Sequence, residues 1–272
     1  MFASQRISAA RRGGAVTVKF LTGSESFSFK YNGAGSLTNM TYPNGITSDF
    51  EYDAESRIIG FDYDGKATHT LLRDARGFLT NEIVQIGLIP DQPQPYTQNR
   101  THNSADQLLS AGTVSYAYSA NGCQTSMVAS ASSMAYEYDF DNRLVKVVNG
   151  AETAEYRSDA TGARIARIFS DGTTTEITYY IIDYADPLKR PLAEADAQGN
   201  IKRCYVWSSY GLLAHYEMNR NTGAILFARY YHANELGSTI TLSTSTGAIT
   251  DRFAYMPYGA VKHVGMTKTP TA

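Results

Sequence analysis

A unit of about twenty residues recurs along the first two thirds of the chain and constrains its fold more than any other feature. Each copy has an aromatic residue, any residue, a second aromatic, an Asx residue, a few small or polar residues, and then Leu or Ile, as between Tyr136 and Leu144. Four of the six spacings between successive second-aromatic positions are 20 or 21 residues. Counted from that position, the copies start at Tyr31, Tyr52, Arg73, His102, Tyr118, Tyr138 and Ser158.

The spacing within a copy predicts a strand, a turn and a return strand. Side chains two residues apart lie on one face of a β-strand, so we expect Tyr136, Tyr138 and Phe140 to line one side. The Asx residue, such as Asp139, can accept a hydrogen bond from the amide two residues later, which opens a turn. The fifth position, such as Asn142, then tolerates the left-handed backbone that a tight reversal needs. Each copy is therefore predicted to be a β-hairpin.

A second set of turn signals separates the copies. These are the Asx-Gly dipeptides that favour hairpin turns, namely Asn44-Gly45, Asp64-Gly65, Asn149-Gly150 and Asp171-Gly172. The chain is thus expected to turn at both ends of every hairpin. An array of this kind buries each hairpin only against its neighbours, so the sequence predicts an all-β class of stacked antiparallel hairpins.

Composition excludes several classes of function. The chain has 24 basic and 26 acidic residues, which leaves no electrostatic footprint for nucleic acid, so we expect no nucleic-acid partner. No apolar run is long enough to span a bilayer, and the basic amino terminus lacks the apolar core of a signal peptide. Cys123 and Cys204 form neither a disulfide framework nor a CxxC pair, and we expect both to be inert thiols.

The repeats resemble the tyrosine-aspartate (YD) repeats of the bacterial Rhs family, which also occur in the C component of insecticidal Tc toxins and in teneurins. The C-terminal third extends the resemblance, because residues 230–259 are similar to the Rhs core segment of the form YYHxDxLGST…G…YxYxxYG, with Asn234 where the family usually has Asp. The residues of this core segment that we single out are Tyr231, His232, Leu236, Gly237, Ser238, Tyr255, Tyr258 and Gly259.

The resemblance implies a curved sheet or spiral of hairpins forming part of a hollow shell around a toxic polypeptide. We expect a lead-in at residues 1–26, the hairpin array at 27–170, a core-like β segment at 171–260 and a tail at 261–272, joined as one continuous β structure. The family's self-cleavage motif DPxG is absent, since Asp186-Pro187 is followed by Leu188, and we expect the chain to be C-terminally truncated relative to the family. The parent protein is expected to be bacterial and secreted or displayed at the cell surface.

No pattern in the sequence points to catalysis, a metal or a cofactor. The repeated aspartates could form acid-base pairs or a calcium ladder, but turn capping explains their positions without a substrate. His232 is expected to be a structural histidine, since the five histidines have no metal-ligand spacing. The residues that we assign to the structural repeat are Tyr31, Asn32, Tyr52, Asp53, Asp74, Tyr118, Tyr136, Tyr138, Asp139, Tyr156 and Asp159.

Two functions remain open from the sequence. The first is a non-catalytic segment of an Rhs/YD shell that encloses, carries or presents a toxin or effector polypeptide, with that polypeptide or the rest of the parent chain as its partner. The alternative is a cell-surface carbohydrate-binding or adhesion module that uses the tyrosine-rich face, because aromatic rings can stack on sugars as well as pack against neighbouring hairpins.

Overall fold

The computed structural model describes residues 15–20, 23–85, 87–88, 97–234, 236–256 and 260–265. The regular elements within these ranges are all β-strands, which confirms the predicted all-β class of antiparallel hairpins. The first seven strands are β1 (Ala15–Phe20), β2 (Gly23–Tyr31), β3 (Leu37–Thr41), β4 (Thr47–Tyr52), β5 (Ile58–Tyr63), β6 (Thr68–Arg73) and β7 (Leu79–Gln85). The next ten are β8 (Arg100–His102), β9 (Leu108–Ala111), β10 (Val114–Tyr118), β11 (Gln124–Ala129), β12 (Ser132–Tyr138), β13 (Leu144–Asn149), β14 (Glu152–Ser158), β15 (Arg164–Ser170), β16 (Thr175–Ile182) and β17 (Pro191–Ala195). The last six are β18 (Ile201–Ser208), β19 (Gly211–Met218), β20 (Ile225–Ala233), β21 (Thr239–Ser243), β22 (Ile249–Tyr255) and β23 (Val261–Gly265).

The chain divides into two compact units. The first unit comprises residues 1–93 and 203–272, and the second unit comprises residues 94–202. Strands β1 to β7 pair in chain order in the first unit, as do β18 to β23, whereas β8 to β17 pair in chain order in the second. The division at residues 26, 170 and 260 that the sequence suggests stays a prediction.

The turn inside each repeat copy has one geometry, seen clearly at Asp139. The Asp139 amide donates to the Arg143 carbonyl at 2.9 Å, and the Asn142 amide donates back to the Asp139 carbonyl at 3.0 Å. This closure requires a positive φ at the fifth position, as the sequence predicts. All seven copies have it there, at Gly35, Ser56, Gly77, Asp106, Gly122, Asn142 and Gly162.

A shift of register accompanies every one of these turns. The strand pairing slips by one residue at the start of each copy, for example between Glu137 and Tyr138. Such a bulge increases the local twist and re-aims the side chains that follow it. The slip occurs at Tyr31, Tyr52, Arg73, His102, Tyr118, Tyr138 and Ser158.

The expectation that Phe140 continues the aromatic face of its strand is wrong. Strand β12 ends at Tyr138, and the turn that begins at Asp139 carries Phe140 on its outer side. Its side chain is fully exposed. The alternation of faces applies only to extended backbone, so it fails as soon as the bulge and the turn begin.

The first unit has a core between its two sets of strands. Tyr42, directly after β3, and Tyr63, on β5, pack their rings against the ring of His232 on β20, with centroids 4.6 and 5.4 Å apart. Phe61 and Tyr63 also belong to one buried apolar cluster with Ile240 of β21. Strands from the two ends of the chain therefore bury each other's apolar faces, which local hairpin pairing alone does not provide.

The second unit buries only small apolar side chains among its described residues. Its buried apolar residues are all alanines, at positions 111, 163, 166, 193 and 195. Most of the large apolar side chains of β10 to β15 instead lie half-buried on the sheet, as Tyr136 does, and Val128 is exposed. This unit therefore presents a broad apolar face rather than a closed core.

Candidate functional site

Hydrogen bonds from the first residue of a copy link successive hairpins. The Tyr52 hydroxyl donates to the Leu37 carbonyl at 2.8 Å, and the Tyr118 hydroxyl donates to the Leu108 carbonyl at 2.9 Å. In both cases the acceptor lies six residues after the start of the preceding copy. Arg73 takes the tyrosine's place in its copy, because its guanidinium Nη2 donates to the equivalent Ile58 carbonyl at 3.2 Å. These repeat tyrosines therefore hold neighbouring hairpins together.

The capping residues are occupied by their own turns. In each of the six copies with Asn or Asp, Oδ1 accepts from the amides two and four residues later, at Asn32, Asp53, Asp74, Asn103, Asp139 and Asp159. The backbone hydrogen bond from Arg143 leads the causes that lower the pKa of Asp139. At Asp159 the Tyr184 hydroxyl, followed by Thr161, lowers the pKa to about 2. Carboxylates held ionised in this way cap turns and are poor general acids near neutral pH.

Tyrosine, methionine and aliphatic side chains form one continuous face of the second unit. Strand pairing places Tyr116 opposite Met127, and Met127 opposite Met134. Two residues further along β12, Tyr136 lies opposite Val147 of β13. Since alternate residues share a face, these side chains lie together. We call this surface the Tyr/Met face; its residues are Tyr116, Met127, Met134, Tyr136, Val147, Ala154, Tyr156 and Phe169. Arg167, which lies opposite Tyr156, shares its margin.

The opposite face of the same strands carries charged side chains beside apolar ones such as Val128 and Val148. Glu137 of β12 lies opposite Lys146 of β13, and the Lys146 ammonium is 3.5 Å from the Glu155 carboxylate. On β12 and β13 the two faces therefore differ in charge. At the margin of the Tyr/Met face, the Arg164 guanidinium lies 4.1 Å above the ring of Tyr156, a cation-π contact.

Within the core segment, His232 lies fully buried in the first unit. Its Nε2 lies 2.8 Å from Ser243 Oγ, and no partner for Nδ1 is found among the described residues. Burial, followed by the charge of Lys66, lowers the pKa of His232 to about 3. The imidazole is therefore neutral at ordinary pH and shut off from solvent, which suits packing rather than proton transfer.

A neighbouring hydrogen bond involves the preceding tyrosine. The Tyr231 hydroxyl lies 2.9 Å from Nδ1 of His215, a histidine that the sequence did not single out. Burial, followed by the charges of Arg203 and Arg229, lowers the pKa of His215 to about 4. Both histidines are thus neutral parts of the interior of the first unit.

The rest of the core segment repeats the turn of the YD copies. Leu236, Gly237 and Ser238 form the turn between β20 and β21, with a φ of 80° at Gly237. Asn234 Oδ1 caps this turn by accepting from the Leu236 and Ser238 amides at 3.1 and 2.9 Å. Tyr255 donates its hydroxyl to the Thr239 carbonyl at 2.7 Å, as Tyr52 does to Leu37. Tyr258 and Gly259 lie outside the described residues.

A turn of the same closure begins at Tyr42, with a positive φ at Gly45, and the turn occurs with a capping side chain at two further places that the repeat pattern missed. Asp196 and Thr244 begin turns closed by the same pair of backbone hydrogen bonds, with positive φ at Gly199 and Gly247. A search for a turn-capping residue followed three residues later by Gly would have found both. The pattern missed these two turns because the residue before each is not aromatic: Ala195 precedes Asp196, and Ser243 precedes Thr244.

Two further features concern metal binding and membrane-spanning helices. Within the described ranges, no group of three or more His, Cys, Asp or Glu side chains is placed to hold a metal ion. In the same part of the chain, no helix has the length and hydropathy to cross a membrane.

Comparison with known proteins relates this architecture to solved toxin structures. A crystal structure of TcdB2-TccC3 superposes with a TM-score of 0.60 over 93% of this chain and 17% of that one, at 14% identity. A Photorhabdus luminescens Tc holotoxin pore gives a TM-score of 0.56 over 91% of this chain and 17% of that one, also at 14% identity. No protein-family profile matches the sequence.

One curated relative shares sequence similarity. The tRNA3(Ser)-specific nuclease WapA of Bacillus spizizenii is 28% identical over 166 residues, which are 60% of this chain and 6% of that protein. The present chain thus spans a small part of its relatives' length.

The repeated five-residue turn, the bulge before it and the hydrogen bonds between copies define a class of all-β proteins built from stacked hairpins. In fold, the chain is similar to these Tc toxin structures.

Proposed function

We propose that this chain is a non-catalytic segment of an Rhs/YD shell that encloses, carries or presents a toxin or effector polypeptide. The fold likeness to Tc toxin structures supports a shell role. Secretion or surface display of a bacterial parent protein belongs to the same proposal. The nuclease activity in the name of the WapA relative is not part of it, because the similarity spans only 6% of that protein.

The Tyr/Met face is the observation that carries the polypeptide part of the proposal. Its central rows, from Tyr116 across to Val147, contain no charged side chain, whereas the opposite face carries Glu137 and Lys146. Its large side chains remain half-buried, so part of their surface is open to a ligand. Methionine adapts to partners of varied shape, and tyrosine offers an apolar ring with a polar tip. Such a face suits a non-native polypeptide of varied sequence.

The proposal is tested by the binding of an unfolded protein to the full chain. Fluorescence anisotropy would follow a labelled, reduced and carboxymethylated α-lactalbumin, with native α-lactalbumin as the folded comparison. We expect saturable binding of the unfolded form. The variant Tyr136→Ser removes a ring from the centre of the face and is expected to raise Kd by roughly fivefold or more.

Glu137→Gln is the matched control, since Glu137 is the next residue of β12 and lies on the opposite face. It should leave Kd unchanged, and circular dichroism would establish that both variants remain folded. Absence of binding, or an equal effect of both substitutions, would count against the proposal. Binding of neutral glycans on an array that Tyr136→Ser abolishes, with no binding of unfolded protein, would favour the carbohydrate-binding alternative.

A further inference from the structure

A cleft of about 520 Å³ opens in the first unit, whereas the Tyr/Met face belongs to the second. Its floor is made by buried side chains, including Leu37, Met40 and Leu213. Its rim carries Tyr210 and Leu236, which are both exposed. A cavity of this size with a buried apolar floor and an open mouth has the dimensions of a small-molecule site.

The described lining of the cleft carries no charged side chain. It consists of aliphatic and aromatic residues together with a few neutral polar ones. A charged ligand would lose its hydration there without gaining an opposite charge, which is costly in an apolar site. The lining therefore selects an uncharged ligand.

The hydrogen-bonding groups of the cleft are largely committed to the protein. The Tyr42 hydroxyl donates to the Tyr231 carbonyl at 2.8 Å, and the Tyr52 hydroxyl donates to the Leu37 carbonyl. Few polar groups thus remain to satisfy a ligand rich in hydroxyls, which favours a mainly apolar molecule over a sugar.

Asn234 gives the site its specific feature. Its Oδ1 already accepts two amides of the β20–β21 turn, so any hydrogen bond that it makes to a ligand comes from its Nδ2 donor. The Rhs core pattern that this segment resembles has Asp at this position. An aspartate would cap the turn equally well but would bring a carboxylate to the lining, whereas Asn234 keeps the cleft neutral.

We infer that this cleft binds an uncharged, mainly apolar small molecule that carries a hydrogen-bond acceptor. The inference is independent of polypeptide binding at the Tyr/Met face, because the cleft and that face lie in different units.

The test uses Nile red, a neutral apolar dye with a carbonyl acceptor, titrated into the full chain and followed by its fluorescence. We expect saturable binding of one dye per chain. Asn234→Asp keeps the turn cap but adds a charge to the lining, and is expected to raise Kd by about tenfold. Asn219→Asp is the matched control, because Asn219 Oδ1 also caps a turn, through the Asn221 and Thr222 amides, and does not line the cleft.

A second pair of variants tests the rim without disturbing the core. Leu236 is 81% exposed at the mouth of the cleft, and Leu188 is 76% exposed in a turn of the other unit. Leu236→Asp should weaken dye binding, and Leu188→Asp should leave it unchanged. Unsaturable binding, or equal effects within either pair of variants, would overturn the inference. Displacement of the dye by a neutral disaccharide at a lower concentration than by an apolar competitor would also overturn it.

Discussion

The hydroxyl of Tyr52 donates a hydrogen bond to the backbone carbonyl of Leu37, 2.8 Å away and fifteen residues earlier in the chain. This bond joins the start of one repeat copy to the return strand of the copy before it. Tyr118 and Tyr255 make the same bond to Leu108 and Thr239. The recurrence explains why tyrosine, rather than phenylalanine, suits this position, since the ring packs on the sheet while the hydroxyl reaches the neighbouring hairpin.

Removal of that hydroxyl should weaken the contact between hairpins. Tyr52→Phe is expected to lower the free energy of unfolding by about 1 kcal/mol, because the Leu37 carbonyl loses its side-chain donor. Tyr179→Phe, at an exposed position of β16, should change it by less than about 0.5 kcal/mol. Urea denaturation followed by circular dichroism measures both. Equal stabilities for the two variants would show that the bond contributes nothing measurable.

The left-handed fifth position should be sensitive to a Cβ atom. Gly35 has a φ of 85° and open space around it, so Gly35→Ala adds backbone strain without a clash. We expect a loss of about 1–2 kcal/mol in the free energy of unfolding. Gly33 lies in the same turn, without a positive φ and also in open space, so Gly33→Ala should cost nothing or stabilise slightly. Thermal denaturation of the pair compares them, and a destabilised Gly33→Ala with an unaffected Gly35→Ala would refute the turn geometry.

Glu25 connects the two sets of strands in the first unit. The hydroxyls of Tyr216 and Tyr230 both donate to its Oε2, at 2.7 and 2.6 Å. Glu25→Gln keeps the shape but removes the charge that strengthens both bonds, and should lower the free energy of unfolding by about 1–2 kcal/mol. Glu51→Gln, at an exposed position of β4, should have an effect below about 0.5 kcal/mol. In a double-mutant cycle, Tyr216→Phe should cost less in the Glu25→Gln background, and full additivity would contradict the shared bond.

His232 should make the stability of the first unit depend on pH. Burial, then the charge of Lys66, lowers its pKa from 6.5 to about 3, so the unfolded chain takes up a proton that the folded chain does not. The free energy of unfolding should therefore fall as the pH decreases from 6.5 towards 3, with a loss from this residue of about 3 kcal/mol by about pH 4. His215 acts in the same direction, because burial lowers its pKa as well.

The contribution of His232 is isolated by comparison with His232→Gln. The variant should show a smaller loss of stability in urea denaturation over the same pH range. If it does not fold, titration of the histidine ring signals by NMR in the native chain gives an independent measurement. A His232 ring that titrates near 6.5 in the folded state would contradict the account.

The hairpins and their turns could be predicted from the sequence because they depend on neighbouring residues. The Asx cap, the left-handed fifth position and the strand that follows all lie within a few residues of one another, as at Asp139 and Asn142. The copy that begins with Arg73 shows the limit of an aromatic pattern, since its guanidinium makes the bond that tyrosine makes elsewhere. Phe140 shows another limit, because the alternating pattern of aromatic residues continues in the sequence past Tyr138, where strand β12 ends.

The packing of the first unit could not be predicted in this way. Tyr42 and His232 are 190 residues apart in the chain, yet their ring centroids lie 4.6 Å apart. No local pattern pairs two such positions, because the contact follows from how two sets of strands face each other. The cleft beside Asn234 depends on the same packing. The sequence alone shows that Asn stands where the resembled pattern has Asp, but it does not show that this residue lines a cleft.

The central claim, that the Tyr/Met face holds a polypeptide, is tested most directly by hydroxyl-radical footprinting with mass spectrometry. The full chain would be oxidised alone and in the presence of reduced, carboxymethylated α-lactalbumin. Methionine and tyrosine react readily, so Met127, Met134 and Tyr136 report on the face itself. We predict that the unfolded protein protects these three side chains and leaves exposed Phe140, on its turn, unprotected. Unchanged oxidation of Met127, Met134 and Tyr136 with bound polypeptide would contradict the claim.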